Sequence, residues 1–401
     1  MTTLRIRCLA LGAASLSLVL TLGACGGGSG TAHESSATAT PRALSAEAAL
    51  GEKIFADASL SASGRQSCAS CHDPAFGHSP ANGLAAQFGG ADFTLQGTRK
   101  TPGIRYLAAN KPFSFATDGT PTGGFFWDGR ARTFAEQATE PFLNPFEMAN
   151  ADKAAVIAKL AAAPYAAEFR TVFGNDVFAD VGGAYLRLSL AVQQYEREDA
   201  EFNAYSSKYD AFLRGKAMLG EQELRGLALF NSPTKGNCAA CHPSSRGSDG
   251  SLPLFTDFTY DNLGVPRNPE LRHNADPASF DLGLCQRPDL VARGDLCGAF
   301  KVPSLRNVAL RQAFFHNGRF KTLKGALAFY VQRDTDPGKW YPADAGGVVR
   351  KFDDLPVEFR VNVNTSEAPY NRRPGDPPAL SDADIDDVIA FLKTLNDGYA
   401  P

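Results

Sequence analysis

Two short stretches of the 401-residue chain share one pattern, Cys-x-x-Cys-His, at Cys68–His72 and at Cys238–His242. Two thiols at this spacing on a helical turn can add to the two vinyl groups of one porphyrin. The adjacent imidazole then lies under the iron as an axial ligand, which is the attachment pattern of c-type haem. Zinc is the competing occupant, because Cys-x-x-Cys also makes a metal knuckle. Four zinc ligands would have to come from nearby segments, and the whole chain holds only 8 Cys and 6 His. The two motifs therefore point to two covalently bound haem c groups, with His72 and His242 as iron ligands. What each iron does depends on its other face: two protein ligands suit electron transfer, and an open face admits peroxide.

Candidates for that other face are few. A soft Met is the common partner in electron-transfer cytochromes, but the chain has only Met1, Met148 and Met218. Thr322 can cap a helix that carries Leu323, Leu327 and Tyr330 on one buried face. An inward Tyr330 hydroxyl needs a partner, either an ordinary hydrogen bond or an iron. Thr133-Phe134-Ala135-Glu136 reads as a capping box opening a second helix, with Gln137 in its first turns. Glu147 follows just after Pro145, where on pattern alone it reads as a charge favoured by a helix dipole.

These residues need elements to position them. Gly51-x-x-Ile54-Phe55 precedes the first motif and Gly226-x-x-Leu229-Phe230 the second, a weak internal duplication. Tyr185, Leu188, Val192 and Tyr195 fall at helical spacing and close a first half, with a polar junction near residues 201–208. Ser381 caps a last helix bearing Ile385, Val388, Ile389, Leu392 and Leu395. Strand signals are scarce, while Gly (38) and Pro (25) are abundant. The expected fold is mostly α with long loops, stabilised around bulky cofactors.

The N-terminus reads as a targeting segment. Arg5 and Arg7 precede an apolar run from Cys8 to Gly23, as in a signal peptide over residues 1–24. Leu22-Gly23-Ala24-Cys25 resembles a lipobox that leaves Cys25 lipidated, followed by a flexible tether over 25–45. An exported chain places Cys285 and Cys297 in an oxidising compartment, where a disulfide between them is expected; two buried free thiols are the alternative. The formal charge of −3 gives no basic face for nucleic acid.

Lys301–Val308, Phe315-His316-Asn317-Gly318 and Thr322-Leu323 are similar to the C-terminal half of bacterial di-haem cytochrome c peroxidases. Phe126–Ala131 and Glu147-Met148-Ala149-Asn150 resemble the N-terminal half, and the match runs in order along nearly the whole mature chain. The family comprises true peroxidases and MauG-like enzymes that oxidise a protein. The resemblance implies two c-type cytochrome domains in tandem, here 46–205 (peroxidatic) and 206–401 (electron transfer). Its peroxidases carry an axial Met twelve residues after the Gly matched by Gly318. That position here is Tyr330, as in the MauG-like branch, so Tyr330 is implied as a ligand of the second iron. A hard, anionic tyrosinate favours oxidised iron where Met favours ferrous.

Gln137 and Glu147 match residues lining the peroxide pocket, where a carboxylate can move a proton between the two oxygens. Pro141 matches a distal residue of the MauG-like members. Trp127 falls between the haems, as an electron relay, as core packing, or as both. Two departures stand out. The only histidine between His72 and Trp127 is His78, close to the proximal ligand, so the first haem is expected to be open without reductive priming. Lys100 precedes Thr101-Pro102 where the family often has a calcium-binding Asn, and Lys cannot ligate calcium. His316 is expected to be structural, and His273 has no assigned role.

The implied activity is a periplasmic reduction of hydrogen peroxide at the N-terminal haem, with electrons passed through the C-terminal haem. The donor would be a small cytochrome c, a cupredoxin or a substrate protein. Membrane contact would run only through the lipid, at the outer membrane. The alternatives are a MauG-like oxidase of a partner protein and a non-enzymatic di-haem carrier.

Overall fold

The computed structural model describes residues 43–401; the expected signal peptide and the expected lipidation at Cys25 lie outside the described residues. Ten α-helices occur among the described residues. They are α1 (Ala46–Ala56), α2 (Cys68–Cys71), α3 (Phe134–Leu143), α4 (Lys153–Ala162), α5 (Ala166–Phe173), α6 (Val181–Glu198), α7 (Lys208–Leu213), α8 (Glu221–Asn231), α9 (Leu323–Gln332) and α10 (Asp382–Lys393). Strand is confined to three two-residue antiparallel ladders. These are β1–β2 (Phe88–Gly89 with Leu95–Gln96), β3–β4 (Ser114–Phe115 with Pro121–Thr122) and β5–β6 (Tyr260–Asp261 with Phe300–Lys301). Such short ladders pin loops and build no sheet core.

Two large hydrophobic cores and several smaller clusters form within one compact unit, Ala43–Pro401. The first draws on Leu50, Ile54, Phe142, Leu160, Leu188 and other residues up to Phe202, with Cys68 packed against it. The second runs from Tyr209 to Leu395 and takes in Cys238 and Tyr330 at its margin. In the first, α1 crosses α6; in the second, α8 crosses α10. Each crossing is close because a glycine sits at the contact. A Cβ on Gly51 would stand 1.9 Å from the Ala191 carbonyl oxygen, and one on Gly226 would stand 2.0 Å from that of Asp387. Ala at either position forces the helices apart. Gly226→Ala is expected to cost on the order of 1–3 kcal/mol, as overpacking does, read as a lower thermal midpoint of the holoprotein.

The duplication therefore extends well beyond the Gly-x-x-apolar-Phe signature. Phe126 and Phe315 have φ of 65° and 64°, and Gly129 and Gly318 have 66° and 62°. Each glycine lies four residues ahead of a capping threonine, Thr133 for α3 and Thr322 for α9. Pro141 on α3 and Tyr330 on α9 thus occupy equivalent positions. Tyr106 and Asn307, both at positive φ, lead equivalent 3-10 turns. Lys100 and Lys301 open the two segments that reach those turns.

Local capping follows the sequence with two differences. Ser381 Oγ accepts from Asp384 N in a full capping box. Thr133 Oγ1 accepts from Glu136 N, but the Glu136 carboxylate reaches past the cap to Arg132 N, so the reciprocal half is displaced by one residue. Glu147 does not begin a helix. It lies in the turn after α3, its backbone N–H donating to Asn144 O, so the helix-dipole reading does not apply. The polar junction is also well anchored: Tyr205 N donates to Tyr106 Oη, which donates to Asp397 at 2.6 Å, and Gly398 N donates to Ser206 Oγ. Cys285 and Cys297 are joined by a disulfide inside a small third core with Leu284, Leu290 and Leu296.

Candidate haem and peroxide site

The first Cys-x-x-Cys-His forms a single helical turn, α2, capped by Ser67 and Ser70. The second forms a 3-10 turn, Cys238–Ala240, entered through Asn237 at φ 50°. Both imidazoles are fixed in the same way. His72 Nδ1 lies 3.2 Å from His78 O, and His242 Nδ1 lies 2.7 Å from Phe255 O. A carbonyl only accepts, so each Nδ1 carries the proton and each Nε2 keeps its lone pair for a metal. Burial pushes both imidazoles down, His72 to about 4, which keeps them neutral as ligation requires.

One continuous cavity is lined by both motifs, Trp127, Gln137, Glu147 and Tyr330. Burial pushes Cys71 up to about 11 and Cys238 and Cys241 up to about 12, so these are neutral thiols. Among the described residues no group of three or more His, Cys, Asp or Glu side chains is placed to hold a metal ion. Paired free thiols facing the same cavity as oriented imidazoles fit haem c instead. The cavity also meets buried polar atoms with no protein partner: Gln66 Oε1, Glu196 Oε2 and Arg311 Nε.

The two ends of the cavity differ. At the first motif, Glu147 lies close enough to Cys68 and Cys71 to press their thiols upward. Its Oε1 accepts from Asn144 Nδ2 at 2.7 Å. Burial pushes its carboxyl up to about 7, with Arg130 pulling the other way. A carboxyl poised near neutrality can both take and give a proton. Gln137 and Pro141 face the cavity from α3 on the same side of the fold. Pro141 has no ligating atom to offer at the position where α9 carries Tyr330.

At the second motif, Tyr330 lies near Cys238 and Cys241, and its hydroxyl makes no hydrogen bond to protein among the described residues. Its ring packs on Phe315, with centroids 5.3 Å apart. Burial drives the phenol well above its ordinary value, so ionising it would require a cation at the oxygen. Trp127 is half-buried between the two ends. Its Nε1 donates to Lys100 O at 2.7 Å and its own carbonyl accepts from Lys301 N at 2.8 Å. The ring nitrogen and the backbone carbonyl of Trp127 are thus bonded by equivalent segments of the two halves.

Three further histidines are described, of which His316 lines the cavity. His78 is buried on the proximal side, accepting from Arg105 Nε at 3.0 Å and packed on Phe202. His316 stacks on Phe300 at 3.5 Å. His273 sits in a 3-10 turn, Arg272–Ala275. The Lys100 ammonium donates to Thr101 O at 2.8 Å.

Glu196 escapes sequence reading. It lies on the inner face of α6 near Cys68, with Oε2 unpartnered, and burial alone pushes its carboxyl up to about 8. Its only sequence signal is a carboxylate on the buried side of an otherwise apolar helical stripe. A raised carboxyl favours the fold while protonated, so its contribution is complete below the ordinary carboxylate range and is lost as pH rises through about 8. Thermal melts should show wild type losing stability between about pH 4.5 and about pH 8, with Glu196→Gln losing less.

The comparisons agree with this geometry. The sequence profile described as di-haem cytochrome c peroxidase matches residues 45–218. A methylamine utilization protein MauG from Paracoccus denitrificans is 35% identical over 370 residues, covering 87% of this chain and 88% of that one. A cytochrome c551 peroxidase from Nitrosomonas europaea is 31% identical, covering 70% of this chain and 71% of its own length. The crystal structure of the di-haem peroxidase BthA from Burkholderia thailandensis is 41% identical and superposes with a TM-score of 0.81. That comparison covers 89% of this chain and 87% of BthA. Two oriented Cys-x-x-Cys-His segments facing one cavity, in a chain this similar to those enzymes, place the protein in the di-haem cytochrome c peroxidase and MauG family of oxidoreductases, whose members imply two c-type haems.

Proposed function

We propose that the protein is a di-haem peroxidase that reduces hydrogen peroxide at the Cys68–His72 end and receives electrons through the Cys238–His242 end. The supporting observation is the asymmetry of equivalent positions, Pro141 on α3 and Tyr330 on α9, both lining the cavity, with Tyr330 beside Cys238 and Cys241. The cysteines would hold the porphyrins through thioethers, with His72, His242 and Tyr330 as iron ligands. Bound haem would supply the iron at which the O–O bond is broken and through which electrons pass.

The remaining steps belong to the side chains. Glu147 takes the proton from the near peroxide oxygen and returns it to the far one, so that water leaves. Asn144 holds the carboxylate at 2.7 Å, and Gln137 supplies an amide to orient the peroxide. Trp127, fixed by Lys100 O and Lys301 N, offers an oxidisable ring between the two ends. Export to the periplasm and lipid attachment at Cys25 complete the proposal and rest on the leader sequence alone. No described helix is long and apolar enough to cross a membrane.

A resting spectrum tests the reading. It predicts one high-spin haem, open on the Pro141 side, and one low-spin haem; two low-spin haems would overturn it in favour of a carrier. The similarity to MauG favours a second reading, oxidation of a partner protein. Sustained peroxide turnover with a reduced small cytochrome c supports the peroxidase, and turnover only with a protein substrate supports the oxidase.

A further inference from the structure

The fold supplies a carboxylate to most of its buried cations. Arg306 pairs with Asp210 at 2.8 Å, Arg333 with Asp334 at 2.6 Å, Arg105 with Asp397 at 3.3 Å, and Arg99 with Asp128 and Asp281. Three cations facing the cavity break this rule. The Lys100 ammonium donates to Thr101 O, and the Lys301 ammonium donates to Gly124 O and lies over the Phe125 and Phe258 rings, so neither meets a carboxylate among the described residues. Arg311 donates to Ser304 O and Arg306 O while its Nε has no partner. All three line the cavity shared by the two Cys-x-x-Cys-His motifs. Among the described residues none of them forms an ion pair.

An unpaired buried charge is expensive, and an uncompensated lysine tends to lose its proton. Burial pushes Lys100 and Lys301 down to about 7 and Arg311 down to about 10. Three such groups converging on one cavity call for anions that the chain does not supply. The placement is ordered: Lys100 and Lys301 open equivalent segments of the two halves, and the backbones of both bond Trp127. Arg311 lies within electrostatic reach of both Lys100 and His242.

We propose that Lys100, Lys301 and Arg311 form a cationic cradle for the propionate carboxylates of the two haems, one lysine from each half. The inference rests on the two-haem reading and goes beyond it. It assigns these residues to setting the haem potentials and to neutralising charge around Trp127. Nearby bare ammonium groups would oppose oxidation of the indole, and pairing them with propionates removes that penalty.

The experiment measures both haem midpoints by spectroelectrochemistry in the wild-type holoprotein and in Lys100→Met, Lys301→Met, Lys100→Arg and Lys301→Arg. Pyridine haemochrome absorbance gives the haem-to-protein ratio, so failure of the two-haem reading is seen separately. Removing a cation beside a haem disfavours the reduced state, so each Met variant should lower at least one midpoint while the Arg variants keep both. Unchanged midpoints in both Met variants would overturn the cradle. Wild-type midpoints should also be insensitive to added chloride; a saturating chloride shift absent from the Met variants would assign the cations to a free anion instead. If the Met variants do not load haem, redox-difference infrared spectra of wild type with 13C-labelled propionates decide. Bands still ionised at about pH 4, just below the ordinary carboxyl value, support the cradle. Protonated carboxyl bands at that pH overturn it.

Discussion

Glu147→Gln is expected to lower peroxide turnover by about 10²–10⁴-fold, the usual contribution of a positioned acid–base group. Both haems should stay attached and the fold intact, because Glu147 lies in a turn and its only side-chain hydrogen bond comes from Asn144. Gln preserves the shape and that contact but cannot accept and return a proton. The pH dependence gives an independent reading. Burial holds the carboxyl near 7, so the proton-accepting form gains population as pH rises through that value. Wild-type turnover should therefore rise across about pH 6 to 8, and the residual activity of Glu147→Gln should lack that rise. Steady-state peroxide consumption against pH, beside haem-to-protein ratios, checks both. Turnover equal to wild type would remove Glu147 from the chemistry.

Tyr330→Met has the largest expected effect on the second end. A thioether in place of a phenolate exchanges a hard anionic donor for a soft neutral one that favours ferrous iron. One midpoint should rise by on the order of hundreds of mV, within the roughly 0.8 V that axial ligands span. The other midpoint should move little. Tyr330→Phe should instead leave that iron with one protein ligand, converting a low-spin signal to high-spin in the resting spectrum. If Tyr330 is only a packed phenol, its contacts with Phe315 survive in the Phe variant and the spectrum stays unchanged.

Several features were legible because they depend on short-range rules. Cys-x-x-Cys-His declares its use by spacing alone. Ser381, Thr322 and Thr133 announce helices because a side-chain oxygen must satisfy amide groups within three residues. The apolar stripe of α6 follows from the helical period, and Tyr185, Leu188 and Val192 are buried as it requires. Local pattern was less reliable in the loops. Glu147 looked like the first charge of a helix opening after Pro145, but the chain turns there, with Glu147 N donating to Asn144 O. The polar residues expected to join the halves near 201–208 are held by partners remote in sequence, Tyr106 and Asp397.

The full duplication was hidden for a related reason. Corresponding landmarks such as Lys100 and Lys301, or Pro141 and Tyr330, are separated by unequal lengths of chain. The second half carries long loops, among them the disulfide-bearing segment, and loop closure penalises added length only slowly. A fixed period therefore fails in the sequence, whereas repeated backbone angles at Phe126 and Phe315 reveal the repeat in space.

The sequence by itself determined which side chains can bind and react: four thiols with two imidazoles, a Tyr where the family's cytochrome c peroxidases carry Met, and a carboxylate within a recognisable motif. Those are properties of residue type and spacing. Tertiary structure decided that both motifs face one cavity, that Pro141 and Tyr330 are counterparts, and that Lys100, Lys301 and Arg311 converge there without carboxylate partners. Burial and charge pairing depend on segments far apart in the chain, so only the folded arrangement could settle them.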